Sequence, residues 1–397
     1  MRRLGLVFVF ALSAAAADWP QWRGPNRDGI STETGLLASW PPGGPQVVWK
    51  TNGLGEGYSS LAIVNGRIYT QGQRNKQEFV LAFDAKTGKK LWETATSRDY
   101  RNDRGDGPRG TPTVDGDRLY AMTGDGVVVC LETAAGKIIW SQNVAQKYGG
   151  SIPQWGFSES PLIDGGRLIV MPGGRGAALV SLNKTDGSLQ WKTGSDHAGY
   201  SSAIVANVSG VRQVLALSGE AAMGVMEDNG ELLWRYTRVS NRTANIATPV
   251  YENGAVFFSS AYGTGAALLT LGPKSMSEVY FTNEMKNHYS TSVLVDGYLY
   301  GFNDSILTAM HFASGKVSWK NRSVGKGSVT FGDKHLYLLS EEGIIGLAEP
   351  NADAYKEVSR FQISKGSLPT WSPLVISDGK MYFRDQDNLA SFDIKSK

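Results

Sequence analysis

Cysteine and histidine are the scarcest chemically reactive residues of this sequence. Its 397 residues include one Cys, Cys130, and four His. A disulfide framework, a thiolate zinc site, an iron–sulfur cluster and an attached c-type haem each need at least two thiolates, so all four are excluded. The four His show no zinc-ligand spacing. A metal site built from carboxylates stays open.

The sequence also lacks an excess of charge of either sign and a long apolar run. Lys and Arg total 40 against 37 Asp and Glu, a net charge of +3, and the basic residues form no cluster. Nucleic acid is therefore not an expected partner. The apolar run Leu4–Leu12 is too short for a bilayer, which needs about 20 residues, so no membrane span is predicted.

The N-terminus has the pattern of an export signal. Arg2 and Arg3 precede the apolar run, and Ala14–Ala17 supply small residues suited to cleavage before Asp18. We expect residues 1–17 to be a signal peptide and the mature protein to be periplasmic or extracellular.

Tryptophan, in contrast, is abundant and periodic. Five of the 11 Trp are separated by 43, 48, 51 and 43 residues, and a further one follows after 85, about two periods. Self-similarity at such a period indicates a repeat architecture. The indoles of the series are Trp49, Trp92, Trp140, Trp191, Trp234 and Trp319.

Each repeat contains two predicted hairpins. The indole closes the second, as in the segment Leu81–Trp92, where two alternating strands flank a turn containing Gly88. An upstream hairpin is marked by a turn of its own, and there are eight such turns: Asn65-Gly66, Asp115-Gly116, Asp164-Gly165, Ser209-Gly210, Asn253-Gly254, Asp296-Gly297, Gly332-Asp333 and Asp378-Gly379.

Four strands per period predict an all-β, eight-bladed β-propeller of four-stranded antiparallel blades, at residues 47–397. The last repeat ends at Lys397 before its fourth strand, whereas Val47–Lys50 reads as a fourth strand with no repeat before it. We expect the N-terminal strand to complete the last blade and close the ring. Residues 18–46, rich in Trp and Pro, are predicted to form an ordered strap, because exposed indoles would be costly.

The repeat resembles the tryptophan-docking repeat of pyrroloquinoline-quinone (PQQ) type propellers, through Ala82-Phe83-Asp84, Thr87-Gly88 and Leu91-Trp92. The segment Asp18–Gly29 is similar to the opening of exported bacterial members of that superfamily. The resemblance implies a fold shared by quinoprotein alcohol and sugar dehydrogenases, which hold PQQ and Ca²⁺ over the channel, and by non-catalytic outer-membrane assembly lipoproteins, which bind no quinone. The repeated indoles are expected to pack between blades.

Candidate site residues fall at the channel mouth, on the face that carries the long, variable connections. If PQQ binds, its carboxylates would pair with cations and its ring would stack on an indole; the candidates are Arg109, Trp155, Arg242, Lys326 and Trp371. Ca²⁺ needs six to eight oxygens, for which Glu159, Asn245 and Asp304 are candidates. Asp304 is also the candidate general base of an enzyme.

Three functions remain open at this stage. The alcohol-oxidising members of the superfamily carry two adjacent Cys residues over the quinone, and this chain has only Cys130. Polar rims of propeller channels are also solvated by default, whatever their role. The leading hypothesis is a non-catalytic binding or scaffold module, expected to be monomeric, with a protein or carbohydrate partner and no required cofactor. The alternatives are a PQQ- and Ca²⁺-dependent dehydrogenase and a carbohydrate-binding propeller that uses Trp155 and Trp371.

Overall fold

The computed structural model describes residues 17–396, and its strands form eight four-stranded antiparallel sheets arranged as the blades of a propeller. The predicted signal peptide lies, except for its last residue, outside the described residues, and its cleavage site stays a prediction.

The first strand of the chain is β1 (Gln46–Thr51). Blade 1 contains β2 (Ala62–Val64), β3 (Arg67–Arg74), β4 (Gln77–Asp84) and β5 (Lys90–Arg98). Blade 2 contains β6 (Thr113–Asp115), β7 (Arg118–Met122), β8 (Val127–Glu132) and β9 (Ile138–Asn143). The short helix α1 (Val144–Tyr148) follows. Blade 3 contains β10 (Leu162–Asp164), β11 (Arg167–Val170), β12 (Leu179–Asn183) and β13 (Leu189–Thr193). Blade 4 contains β14 (Ile204–Val208), β15 (Val211–Leu217), β16 (Ala222–Met226) and β17 (Leu232–Tyr236).

Blade 5 contains β18 (Val250–Glu252), β19 (Ala255–Ser260), β20 (Gly265–Leu271) and β21 (Met276–Thr282). Blade 6 contains β22 (Val293–Val295), β23 (Tyr298–Asn303), β24 (Ile306–His311) and β25 (Val317–Asn321). Blade 7 contains β26 (Gly327–Gly332), β27 (His335–Ser340), β28 (Ile344–Glu349) and β29 (Lys356–Gln362). Blade 8 contains β30 (Val375–Ser377), β31 (Lys380–Asp385) and β32 (Asn388–Asp393), with β1 as its outer strand. The described residues include no helix long and apolar enough to cross a membrane.

The closure predicted from the sequence is confirmed. β1 pairs antiparallel with β32, from Gln46 opposite Asp393 to Thr51 opposite Leu389. The blades thus form a complete ring, and the fourth strand of blade 8 comes from the other end of the chain.

The repeated indoles dock each blade on the next one. The indole N–H of Trp92 in blade 1 donates to the carbonyl of Thr133 in blade 2 at 3.1 Å, and that of Trp140 reaches Lys184 in blade 3 in the same way. In blade 5 the hydroxyl of Tyr280 takes this role and donates to Phe312 at 2.7 Å. The core lies between the faces of adjacent blades, where these contacts combine with buried aliphatic side chains.

The strap enters the channel from the face that carries the Asn-Gly turns. Trp19 pairs with Ile63 on the innermost strand of blade 1, and the carbonyl of Pro20 accepts from Val114 of blade 2. The chain then turns inside the channel and leaves it at Ser31, whose N–H donates to the carbonyl of Phe331 in blade 7. We call residues 19–31 the channel plug.

Two buried arginines fix the channel plug. The guanidinium group of Arg23 donates to the carbonyls of Thr291 and Ser292 in blade 6, at 3.1 and 2.9 Å. That of Arg27 donates to Ser160 in blade 3 at 2.6 Å. Burial lowers the pKa of both guanidinium groups to about 10, so both stay protonated at neutral pH. The plug thereby ties together blades on different sides of the ring.

The remainder of the strap packs outside the channel. Trp40 is buried against Tyr337 and Phe361 of blade 7, with ring centroids 5.7 and 5.8 Å away. This part of the segment thus lies against blade 7, whereas the channel plug takes a path that the sequence argument did not include.

Candidate functional site

The connections between blades place a cavity at the channel mouth. Each connection from an outer strand to the next inner strand lies on the same face, opposite the Asn-Gly turns. The cavity there has a volume of about 630 Å³, within the usual range of small-molecule sites. We call it the cup. Its lining residues are Trp22, Tyr58, Arg104, Arg109, Gln154, Trp155, Ser158, Tyr200, Ser202, Thr243, Ile246, Tyr262, His288, Tyr289, Lys326, Glu341, Pro369 and Trp371.

Aromatic rings form much of the wall. Trp371 lies between Tyr58 and Tyr289, with centroid distances of 4.7 and 5.8 Å and interplanar angles of 33° for both pairs. Trp155 and Tyr200 form a second tilted pair at 5.7 Å. Because these residues come from different inter-blade connections, only ring closure brings them together.

The floor of the cup comes from the channel plug. Trp22 lines the cavity, and its indole N–H donates to the hydroxyl of Thr248 at the start of blade 5, at 2.9 Å. The sequence argument placed Trp22 in a strap and did not predict it as a site residue. The one sequence feature that could have indicated a role for Trp22 is its position in an Arg- and Gly-rich segment that has no equivalent in the repeats.

Cations outnumber carboxylates in the cup. The Arg109 guanidinium lies 4.8 Å from the ring centroid of Tyr58 and 5.8 Å from that of Trp371, and its Nε donates to the carbonyl of Trp155. Glu341 is the one carboxylate among the described lining residues; it accepts from the indole N–H of Trp371 at 2.7 Å and lies 3.5 Å from Lys326. The cup is therefore a cationic, aromatic site.

His288 does not add a charge at neutral pH. Burial, together with the neighbouring Lys326, lowers the pKa of its imidazole to about 4. Its Nε2 lies 2.8 Å from the hydroxyl of Tyr262. Its Nδ1 and the Tyr289 hydroxyl are buried and have no hydrogen-bond partner within residues 17–396. These two atoms are the unused polar groups of the wall.

The predicted ring-binding residues fall partly in the cup. Arg109, Trp155, Lys326 and Trp371 line it, and Arg242 does not; Arg242 lies exposed in the connection before blade 5. The cup therefore contains the types of group, aromatic rings and cations, that a flat anionic ligand such as PQQ would need.

Two of the three predicted calcium ligands are engaged in hydrogen bonds. The buried carboxylate of Glu159 accepts from the N–H of Met171 and faces the guanidinium of Arg27, and burial raises its pKa to about 8. The Oδ1 of Asn245, the atom that would ligate Ca²⁺, accepts from the N–H of Asn241 at 2.9 Å and from the hydroxyl of Ser260 at 3.1 Å.

Asp304, the predicted base, lies in the β23–β24 turn outside the described cup lining. Within the described residues no group of three His, Cys, Asp or Glu is placed to hold a metal ion. Calcium binding and catalysis by Asp304 stay predictions.

Comparisons with known proteins agree with this architecture. The family model described as outer membrane protein assembly factor BamB matches residues 76–321. The BamB protein of Moranella endobia (strain PCIT) is 26% identical over 333 residues, a match that covers 74% of this chain and 79% of that protein.

Solved structures share the fold at low identity. BamB from Moraxella catarrhalis superposes with a TM-score of 0.65 at 14% identity, covering 89% of this chain and 98% of that chain. Quinohemoprotein alcohol dehydrogenase from Comamonas testosteroni superposes with a TM-score of 0.70 at 13% identity, covering 96% and 81%. The resemblance to PQQ-type propellers is confirmed, and at these identities the structures show the fold alone.

Proposed function

The chain belongs to the family described as outer membrane protein assembly factor BamB, and from that premise we propose that it is an exported, non-catalytic binding module. Its long-loop face would dock a protein partner engaged in outer-membrane assembly. The observation that carries this proposal is the long-loop face itself, which exposes apolar side chains outside the cup.

Exposed apolar side chains on the long-loop face support a protein partner. Ile152 and Leu368 lie in the connections before blades 3 and 8 and are 43% and 36% exposed. Neither lines the cup. Apolar residues on loops held by a rigid scaffold are suited to partner docking.

Site-specific photo-crosslinking tests the docking face. A photoreactive amino acid at position 152 or 368 is expected to crosslink to an outer-membrane assembly protein in intact cells, identified by mass spectrometry. Ile138 and Leu189 on the outer strands β9 and β13 are matched controls, since they are 39% and 45% exposed and lie on the perimeter. Equal crosslinking from perimeter and loop positions, or none from the loops, would contradict the proposal.

A quinoprotein dehydrogenase is the second candidate, favoured by the four predicted ring-binding residues that line the cup. We expect purified mature protein with PQQ and Ca²⁺ to show no dye-linked oxidation of alcohols or sugars. Turnover that is lost in Asp304→Asn while thermal stability is unchanged would replace the binding proposal with the enzyme.

Export is proposed from the N-terminal pattern alone. Fractionation followed by N-terminal sequencing should find the protein outside the cytoplasm with Asp18 as its first residue.

A further inference from the structure

The cup has one closed end, which distinguishes it from an open propeller channel. Trp22 of the channel plug forms its floor, and Arg23 and Arg27, bonded to the carbonyls of blades 6 and 3, hold that floor in place. Within residues 17–396 the channel plug occupies the channel beneath the cup, so a ligand would enter from the long-loop face. Binding at such a floor would bury most of a small ligand's surface.

The wall offers ring faces rather than a smooth apolar surface. The stack of Tyr58, Trp371 and Tyr289 and the pair of Trp155 and Tyr200 present tilted aromatic rings around one volume. Aromatic faces suit the C–H face of a sugar ring as well as a flat aromatic ring, because both contacts bury apolar surface against the ring.

Neutral polar groups between the rings favour a ligand with hydroxyl groups. Gln154, Ser158, Ser202 and Thr243 all line the cup. The Tyr289 hydroxyl is buried without a partner within residues 17–396, as is the Nδ1 of His288. The hydroxyl groups of a ligand would therefore meet the accessible side chains among these lining residues, such as Gln154 and Thr243, which are exposed.

The charge balance favours a ligand with a carboxylate. Three cations, Arg104, Arg109 and Lys326, line the cavity against one lining carboxylate, Glu341. Lys326 lies 3.5 Å from Glu341 and Arg104 lies 3.8 Å from Asp103. Arg109 bonds only to carbonyl and amide oxygens within the described residues, so its charge has no carboxylate partner there. Cations at the wall of a partly dry site attract a carboxylate more strongly than the same groups would in water.

We propose that the cup binds an acidic saccharide, in which pyranose rings stack on the aromatic wall and a uronate carboxylate pairs with Lys326 and Arg109. This inference rests on the binding role proposed above and names the ligand class of the cup, which the protein-docking residues Ile152 and Leu368 do not line.

Calorimetric titration of the purified mature protein tests the proposal with defined probes. Tri-galacturonate is expected to bind saturably, and its methyl ester, which has the same rings without the charges, at least tenfold more weakly. Quenching of tryptophan fluorescence should follow the same isotherm, because Trp22, Trp155 and Trp371 line the cup. Equal affinity for acid and ester, or no saturable binding at millimolar concentration, would overturn the proposal.

Two variants locate the site within the cup. Gln154→Ala removes an exposed amide that lines the cup and should weaken binding about three- to tenfold, the usual range for one lost neutral hydrogen bond. Gln77→Ala is the matched control, since Gln77 is also exposed but lies at the start of β4, outside the described cup lining. Equal effects of these two substitutions would place the ligand elsewhere.

Lys326→Gln tests the charge. It should reduce the preference for the acid over the ester, and Lys320→Gln on the outer strand β25 should not. Tight PQQ binding with no saccharide binding would also overturn the inference. Crosslinking from positions 152 and 368 is measured separately, so a failed saccharide titration leaves the protein-docking proposal intact.

Discussion

Buried carboxyl groups make stability depend on pH, and Glu78 is one of them, beside Glu159. Glu78 is fully buried and accepts from the N–H of Gly124 at 3.0 Å. Burial, reinforced by Asp125 and Asp99, raises its pKa from about 4.5 to about 8. The folded protein therefore keeps a proton that the unfolded chain releases above about pH 4.5. This contribution to stability is fully present below that pH and is lost as the pH rises towards 8.

We expect the free energy of unfolding to fall between pH 5 and pH 8. The substitution Glu78→Gln should remove up to about 3 kcal/mol of that fall, since each pKa unit corresponds to about 1.4 kcal/mol. Urea unfolding at several pH values measures the free energy of unfolding of both proteins. Glu56→Gln, at an exposed position, should leave the pH profile of the wild type unchanged. Parallel profiles for wild type and Glu78→Gln would contradict the assignment.

At the scale of the element, the second hairpin of a blade is shaped to receive the indole of its neighbour. Gly136 of blade 2 has a φ of +70°, and a Cβ there would lie 2.4 Å from the ring of Trp92. Gly116, in the other hairpin of the same blade, also has a positive φ, +61°, but open space around it. Comparing Gly116 with Gly136 therefore separates two reasons for a glycine: the positive φ, which both share, and the space for the indole, which only Gly136 must leave.

Gly116→Ala should cost about 1 kcal/mol, the penalty of a left-handed conformation for a residue with a Cβ. Gly136→Ala should cost about 1–3 kcal/mol more, because the added methyl group also displaces the indole. Chemical denaturation of both variants measures the difference. Equal losses would mean that the indole accommodates the methyl group and does not fix the distance between blades.

The elements that could be predicted from the sequence are those that repeat. Turn residues and indoles recur at one period, so eight blades and the closing role of β1 follow from the pattern. The channel plug has no period, and its path depends on arginines that bond to carbonyls more than a hundred residues away.

The site was predicted in part for the same reason. Residues before inner strands were expected at the mouth, and Arg109, Trp155, Lys326 and Trp371 line the cup. The position of a carboxylate in the repeat does not show whether its side chain points to the channel mouth or into the core. Glu159 is an example, because its buried carboxylate accepts from the N–H of Met171.

At the scale of the whole molecule, the N-terminal region has two separable tasks. β1 completes blade 8 through its ladder with β32, whereas the channel plug crosses to blades on several sides of the ring. A chain that starts at Gln46 keeps the ladder and loses the plug. A chain that starts at Leu54 loses both and exposes the edge of β32, which could pair with another chain.

We expect the chain starting at Gln46 to keep the oligomeric state of the full mature protein but to be less stable, because the carbonyls that Arg23 and Arg27 satisfy lose buried donors. The chain starting at Leu54 should self-associate and unfold at a still lower temperature. Light scattering after size exclusion and thermal unfolding distinguish the two. A monomeric chain from Leu54 with the stability of the chain from Gln46 would show that seven complete blades and three strands hold the ring without closure.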